Sequence, residues 1–199
     1  IKTIEENGAE YLHYDVMDGI FVPSISFGMP VLSSIRSCTN QVMDVHLMIT
    51  EPIRYVEAFA KAGADILTIH YEACEDLQAT IDKIHAAGAK VGISIKPKTP
   101  VDVLLPYLDQ AEMFLIMSVE PGFGGQAFIP ESLERISELR NLLNEKGLTT
   151  DIEVDGGIYH KNVAEVLAAG ANVMVSGSGV FKGDIKDNTA KFMEILNGN

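Results

Sequence analysis

Apolar and polar positions along this chain switch repeatedly between two periods. Short runs rich in β-branched and aromatic residues read as strands: "YLHYDVMD" from Tyr11, "QVMDVHLM" from Gln41, "DILTIHYE" from Asp65 and "KVGISIKP" from Lys90. "MFLIMSVEP" from Met113, "DIEVDGG" from Asp151 and "NVMVSGSG" from Asn172 bring the set to seven. Between them lie stretches of helical spacing such as "EPIRYVEAFAKAG", "DLQATIDKIHAAG" and "PESLERISELRNLLNEKG". Near-continuous apolar strands alternating with amphipathic helices predict a parallel sheet covered on both faces.

A small repeat strengthens this expectation. Gly8-Ala9, Gly63-Ala64, Gly88-Ala89 and Gly170-Ala171 each fall where a helical run gives way to a strand. Glycine takes the left-handed conformation that caps a helix C-terminus without steric cost. The opening "IKTIEENGAE" reads as the tail of a helix, so seven strands suggest a TIM (β/α)₈ barrel whose first strand lies outside this sequence. A barrel left open there would expose two strand edges. The competing architecture is an open doubly wound sheet, but the GxGxxG that usually follows its first strand is absent. No Gly/Ser-rich linker interrupts residues 1–199, which are expected to form one domain.

Composition narrows the functional classes. The chain has 199 residues, 47% hydrophobic and 22% charged, with a formal net charge of −13. Such acidity argues against nucleic acid or an anionic membrane as partner, and no apolar run is long enough to span a bilayer. Cys38 and Cys74 lack CxxC spacing and read as reduced thiols of a cytoplasmic protein. The chain begins at Ile1 rather than Met, which leaves room for an upstream segment, a targeting sequence included.

The strands carry polar residues that buried strands normally avoid. Residues i and i+2 share a face, so His13, Asp15 and Met17 point one way, and Asp44, His46 and Met48 repeat the pattern on the next strand. Glu153 and Asp155 share a face near the end of the chain. His46 and Asp155 lie near the C-terminal ends of their strands, where barrel enzymes place their chemistry. Singly, a strand histidine is more often a hydrogen-bonded core residue, and a terminal aspartate a helix cap. His13, Asp15, His46 and Asp155 together predict a divalent-metal site of mixed N/O ligation. His70 ranks below them because only Glu72 is acidic on its face, and His85 and His160 read as surface residues on helical stretches.

Two further groups gather at the same end. Met17, Met48 and Met117 each stand near a strand's C-terminus and could wall a metal from bulk water as well as fill core space. "PGFGGQ" (121–126), "DGG" (155–157) and "SGSGVF" (176–181) follow the last three strands, where barrels often bind phosphate through backbone N–H groups. The residues expected there are Gly122, Phe123, Gly124, Gly125, Gly156, Gly157, Gly177 and Ser178, together with His46.

"HYDVMDGIFVPSISFG", "DVHLM", "MSVEPGFGGQAFIPE", "IEVDGGI" and "SGSGVF" resemble, in order and over nearly the whole chain, the ribulose-phosphate 3-epimerase family. The resemblance implies a TIM barrel, one divalent metal ion and a small phosphosugar substrate. The implied reaction interconverts D-ribulose 5-phosphate and D-xylulose 5-phosphate in the pentose phosphate pathway. It implies His13, Asp15, His46 and Asp155 as metal ligands, Asp15 and Asp155 as the acid–base pair, and Met17, Met48 and Met117 as the active-site cap. Zn²⁺ or Fe²⁺ is the expected metal, with Mn²⁺ or Co²⁺ as alternatives, and a homo-oligomer is compatible with the family pattern. Three features depart from it: the first strand with its substrate-contacting serine is absent, Ser24 stands where many members carry Asn, and Lys96 where many bacterial members carry Asn.

The residue set suits the chemistry. The C3 proton of a 2-ketose phosphate is weakly acidic, a metal at the C2 and C3 oxygens would stabilise an enediolate, and carboxylates on opposite faces would invert C3. The nearest alternative is a D-allulose 6-phosphate 3-epimerase with the same ligands. A Schiff-base aldolase using Lys96 and a phosphosugar-binding protein without turnover are alternatives of other classes.

Overall fold

A computed structural model describes residues 1–198. Seven parallel strands form one sheet in sequential order: β1 (Tyr11–Met17), β2 (Val42–Met48), β3 (Ile66–His70), β4 (Lys90–Ile95), β5 (Met113–Met117), β6 (Asp151–Asp155) and β7 (Val173–Val175). All seven sequence-predicted strands are present. Their sequential order separates the fold from a doubly wound sheet, whose strand order reverses part-way. The helices α1 (Lys2–Glu6), α2 (Met29–Arg36), α3 (Val56–Ala62), α4 (Leu77–Ala86), α5 (Ser132–Glu145), α6 (Val163–Ala168), α7 (Ser178–Phe181) and α8 (Ile185–Leu196) complete a nearly closed barrel.

β1 and β7 do not pair. A cavity of about 570 Å³ runs between these edges, from Ile4 and Tyr11 up to the glycine loops after β5, β6 and β7. α1 packs against α8 on the same side. Between sheet and helices lies the main core, with Leu32, Phe59, Leu67, Ile93, Phe114, Ile136 and Val154 among its buried members. Barrel strands thus send apolar side chains outward to the helices and alternate residues inward.

The Gly-Ala repeat is a set of helix caps. Gly8, Gly63, Gly88 and Gly170 have φ of 97°, 112°, 81° and 115°, a region costly for side chains with a Cβ. At Gly63 the cap is a Schellman motif: the Gly63 N–H donates to Ala60 O and the Ala64 N–H to Phe59 O. Each cap turns a helix into the next strand across three or four residues.

Register places the inward polar residues in layers. His13 lies opposite Asp44, Asp15 opposite His46, and Met17 opposite Met48. Met117 lies opposite Asp155. One expected surface residue is not where its pattern placed it: His160 sits in a turn rather than a helix, half-buried, with its ring 4.2 Å from that of Phe192 and its Nε2 3.0 Å from Asn188 O. The polar run "YHKN" around it hides that packing. His85 lies exposed on α4 as expected, and Cys38 and Cys74 are both free thiols.

Gly92 on β4 links the sheet to the polar interior. A Cβ there would stand 2.2 Å from Thr68 Oγ1 and 3.1 Å from its Cα on neighbouring β3. Thr68 Oγ1 donates to Asp44 Oδ1 at 2.6 Å. Gly92→Ala should therefore lower stability by about 1–3 kcal/mol through overpacking and loss of that hydrogen bond. Thermal unfolding would show a fall in Tm of a few degrees or more, and an unchanged Tm would mean that Thr68 can turn aside freely.

Candidate metal and acid–base centre

Three acceptor atoms from adjacent strands meet at the open end of the barrel. Asp15 Oδ1 lies 3.2 Å from His13 Nε2 and 3.0 Å from His46 Nδ1, and the two nitrogens are 3.3 Å apart. Asp155, from the end of β6, joins them, so that one donor atom from each of the four residues lies within 4.8 Å of the others. The sequence-predicted quartet is thus brought together. Among the described residues no hydrogen bond serves the Asp155 carboxylate side chain.

The outer face of each imidazole is occupied. His13 Nδ1 lies 2.5 Å from Asp44 Oδ2, and His46 Nε2 lies 2.8 Å from His70 Nε2. With protons on those outer nitrogens, His13 Nε2 and His46 Nδ1 turn lone pairs toward the carboxylates. Lone pairs and negative oxygens about 3 Å apart repel unless a proton or a metal cation lies among them. That is also the spacing of neighbouring ligands around an ion about 2 Å from each. Two imidazoles and two carboxylates therefore fit a small divalent metal.

The same groups also compete for protons. Burial pushes the Asp155 carboxyl up, and the nearby Asp15 charge adds to this, leaving it at about 6. For Asp15, burial is outweighed by His13 and His46, which hold its carboxyl well below the ordinary range. Burial opposes a charge on His13, but Glu153, Asp44 and Asp15 outweigh it and raise its pKa well above the usual value. A cation among these groups would relieve the repulsion between the two aspartates.

Backbone contacts fix the strand ends that carry these residues. Ser26 Oγ donates to Asp15 O and accepts from the Met17 N–H. Asp18 accepts from the N–H groups of Ile20 and Phe21 through one oxygen and of Thr50 through the other, joining the loops after β1 and β2. Ser118 Oγ donates to Asp155 O and Gly156 O. Arg135 of α5 donates to Lys96 O, Thr99 O and Met117 O, binding the ends of β4 and β5. Met17, Met48 and Met117 end their strands and line the cavity beside Asp15 and Asp155.

The glycine loops divide into two kinds. A Cβ on Gly156 or Gly157 would strike Val119 or the Phe128 backbone, and both have positive φ, so packing alone demands glycine. Gly124, Gly125 and Gly177 would point a Cβ into open space. Among the described residues no protein acceptor takes the N–H groups of Gly124, Gly125, Gly157 or Gly177. Gly122 packs on Val22, Phe123 is exposed, and Ser178 Oγ lies 2.7 Å from the Tyr159 hydroxyl.

His70, ranked below the quartet on its pattern, stands outside it but directly behind His46. His70 is fully buried at the end of β3, stacked on His46 and 4.9 Å from the Phe21 ring. Its signal was already present in "HYE", where Glu72 lies 3.3 Å from His70 Nδ1. Asp44, Thr68 and Glu153 are further supports beneath the quartet. Lys96 Nζ sits 3.9 Å over the Phe21 ring.

Fold and site together define a (β/α) barrel with a candidate metal site at the C-terminal mouth of its strands. The family model described as Ribulose-phosphate 3 epimerase family matches residues 1–181. A ribulose-phosphate 3-epimerase of Synechocystis sp. is 51% identical over 183 residues, covering 91% of this chain and 80% of the relative. That of Bacillus subtilis is 48% identical over 182 residues, covering 91% and 84%. The chain belongs to the ribulose-phosphate 3-epimerase family, a family of isomerases. Among solved structures, phosphoribosyl anthranilate isomerase from Thermus thermophilus superposes with a TM-score of 0.71 at 17% identity, covering 99% of this chain and 92% of the other. Orotidine 5'-phosphate decarboxylase from Pyrococcus horikoshii gives 0.68 at 13%, covering 100% and 91%. These two show the shared barrel fold.

Glu153 supplies a test of the polar interior. It is 1% exposed, its oxygens make no hydrogen bond, and Oε1 stands 3.3 Å from His13 Nδ1. Burial, then the Asp44 charge, push its carboxyl up to about 8 against the opposing effect of His13. Its folded pKa exceeds the unfolded value, so the folded state holds the extra proton between about 4.5 and 8. Its contribution to stability is fully present below that window and is lost as pH rises through it. Glu153→Gln mimics the protonated form without titrating. In chelator-treated protein the Tm of this variant should gain on the parent as pH rises from 5 to 8. Parallel Tm curves would show that Glu153 is ionised throughout.

Proposed function

We propose that this chain is a metal-dependent epimerase that inverts C3 of D-ribulose 5-phosphate to give D-xylulose 5-phosphate. The observation that carries the reading is the convergence of Asp15, Asp155, His13 Nε2 and His46 Nδ1 at the barrel mouth of a chain in this family. These four residues would hold one divalent ion, Zn²⁺ or Fe²⁺ by ligand type. Such an ion supplies Lewis acidity to the adjacent oxygens of the ketose. The chain would act as one barrel domain in cytoplasmic carbohydrate metabolism.

In this reading the protein's own groups move the proton. One aspartate takes it from C3 on one face, and the other delivers a proton to the opposite face, which inverts the centre. Met17, Met48 and Met117 form an apolar wall that keeps water from the planar intermediate. The free N–H groups of Gly124, Gly125, Gly157 and Gly177, with Ser178 beside them, would receive the phosphate dianion. Neutral donors suit an anionic substrate on a chain of net charge −13. Nothing in the position of Lys96, over Phe21, favours imine chemistry. A comparison of kcat/KM on five- and six-carbon phosphoketoses separates this substrate from D-allulose 6-phosphate.

Asp155→Asn keeps an oxygen ligand and the side-chain shape but removes the base. Epimerisation should fall at least ~10²-fold, the low end for a general acid–base group. Metal content, measured alongside, should be retained. The variant should still exchange the C3 hydrogen of one epimer with solvent deuterium, and Asp15→Asn should favour the other epimer. If both variants keep metal and epimerise within tenfold of the parent, the two-base mechanism is wrong.

Gly177→Val tests the phosphate loop separately. Its φ of −78° suits valine and its Cβ would meet no protein atom, so the variant should fold normally. KM should rise about tenfold or more with metal content unchanged, and an unaltered KM would remove Gly177 from the site.

A further inference from the structure

Behind His46 runs a second chain of polar groups, buried at His70 and reaching the surface at Glu72. His46 Nε2 lies 2.8 Å from His70 Nε2, and both rings are fully buried and stacked 4.9 Å apart. His70 Nδ1 lies 3.3 Å from Glu72 Oε2. The other Glu72 oxygen accepts from the Lys96 N–H and from Thr99 Oγ1. Phe21 closes over His70, with Lys96 Nζ above the outer ring.

With both imidazoles neutral, one arrangement of protons satisfies every member. Burial opposes ionisation of Glu72, but hydrogen bonds from His70, Thr99 and the Lys96 backbone outweigh it and hold the carboxyl at about 2. A carboxylate beside His70 Nδ1 requires a proton on that nitrogen. His70 is buried with no carboxylate at its other nitrogen, so it stays neutral and Nε2 is an acceptor. His46 Nε2 must then carry a proton and donate it. That leaves the His46 Nδ1 lone pair facing Asp15, on the metal side.

We infer that His70, oriented by Glu72, is a positioning residue that fixes the tautomer of His46 and so makes Nδ1 its ligand atom. The inference rests on the reading of His46 as a metal ligand and extends it outward by two residues. His13 reaches the same end differently, through Asp44 at Nδ1, and so presents Nε2. One imidazole is set by a carboxylate directly, the other by a carboxylate acting through a second imidazole. Partners of this kind orient ligating imidazoles, and their loss typically weakens metal binding 10–100-fold.

The proton assignment can be read without any substitution. Nitrogen-15 NMR of the chelator-treated full chain at pH 8 should show His46 protonated at Nε2 and His70 at Nδ1. A proton on His46 Nδ1 instead would overturn the inference whatever the metal does. Co²⁺ binding, followed by its visible absorption, gives the second readout. His70→Leu removes the acceptor and should weaken Co²⁺ binding 10–100-fold with an altered band pattern. His70→Gln, whose amide can accept from His46 and donate to Glu72, should restore affinity to within about threefold. If the Leu variant is folded by its melting curve and binds Co²⁺ with parental affinity and spectrum, His70 has no positioning role. The same outcome follows if Gln fails to rescue a folded variant. His46→Ala separates the underlying reading: undiminished Co²⁺ binding in that variant would remove His46 from the ligand set, whereas the NMR result bears on the tautomer alone.

Discussion

The 2.5 Å pairing of His13 with Asp44 is the contact on which the barrel mouth depends. Both side chains are inside the barrel, Asp44 without any exposure, where an unpaired charge would be prohibitive. Their pairing sets which His13 nitrogen faces the cavity, and Thr68 holds the other Asp44 oxygen in place. Thr68 can do so because Gly92 on the next strand leaves it room. A strand-to-strand packing constraint thus reaches, through three residues, the atom offered to a metal. Without it, Asp15 and His46 would still share a register, but the imidazole on β1 would have no fixed direction.

Much of this was legible in the sequence because parallel barrels obey a two-residue period and a simple order. Strand positions followed from β-branched runs, and the four Gly-Ala caps marked where β1, β3, β4 and β7 begin. Alternation alone put His13, Asp15, His46 and Asp155 on inward faces, and the structure gathers them. What alternation cannot express is contact between side chains on neighbouring strands at different depths. His70 had one acidic neighbour on its own face, which made it look isolated. Its significant partner, His46, is on another strand. Likewise "DGG" and "PGFGGQ" read alike as phosphate loops, yet Gly156 and Gly157 are demanded by Val119 and Phe128, while Gly124 and Gly125 meet nothing. His160 shows the converse: a polar neighbourhood in sequence concealed its packing on Phe192.

Family membership and geometry reinforce each other at different levels. Likeness to relatives at 48–51% identity establishes the family. Barrel neighbours at 13–17% identity share only the scaffold. The particular arrangement of donors, with each imidazole backed by its own hydrogen-bonded support, belongs to this chain's inward faces rather than to the scaffold. It shows how one barrel can carry unrelated chemistries: the outward residues build the fold and the inward ones are free to differ.

The ties at the rim have a consequence for how matter passes through it. Asp18 joins the loops after β1 and β2, Glu72 joins β3 to the turn after β4, and Arg135 joins the ends of β4 and β5. Ser118 ties the loop after β5 to Asp155 O and Gly156 O, and Ser176 ties the loop after β7 to Ile158 O, yet among the described residues the amide protons of Gly124, Gly125 and Gly177 are unshared. Segments with fewer internal ties open at lower free energy. The rim is therefore freest to yield at those three glycines, while the strand ends beneath them stay tied. A solute arriving at the mouth would meet backbone that can adjust to it, with the histidines held behind by backbone that is tied.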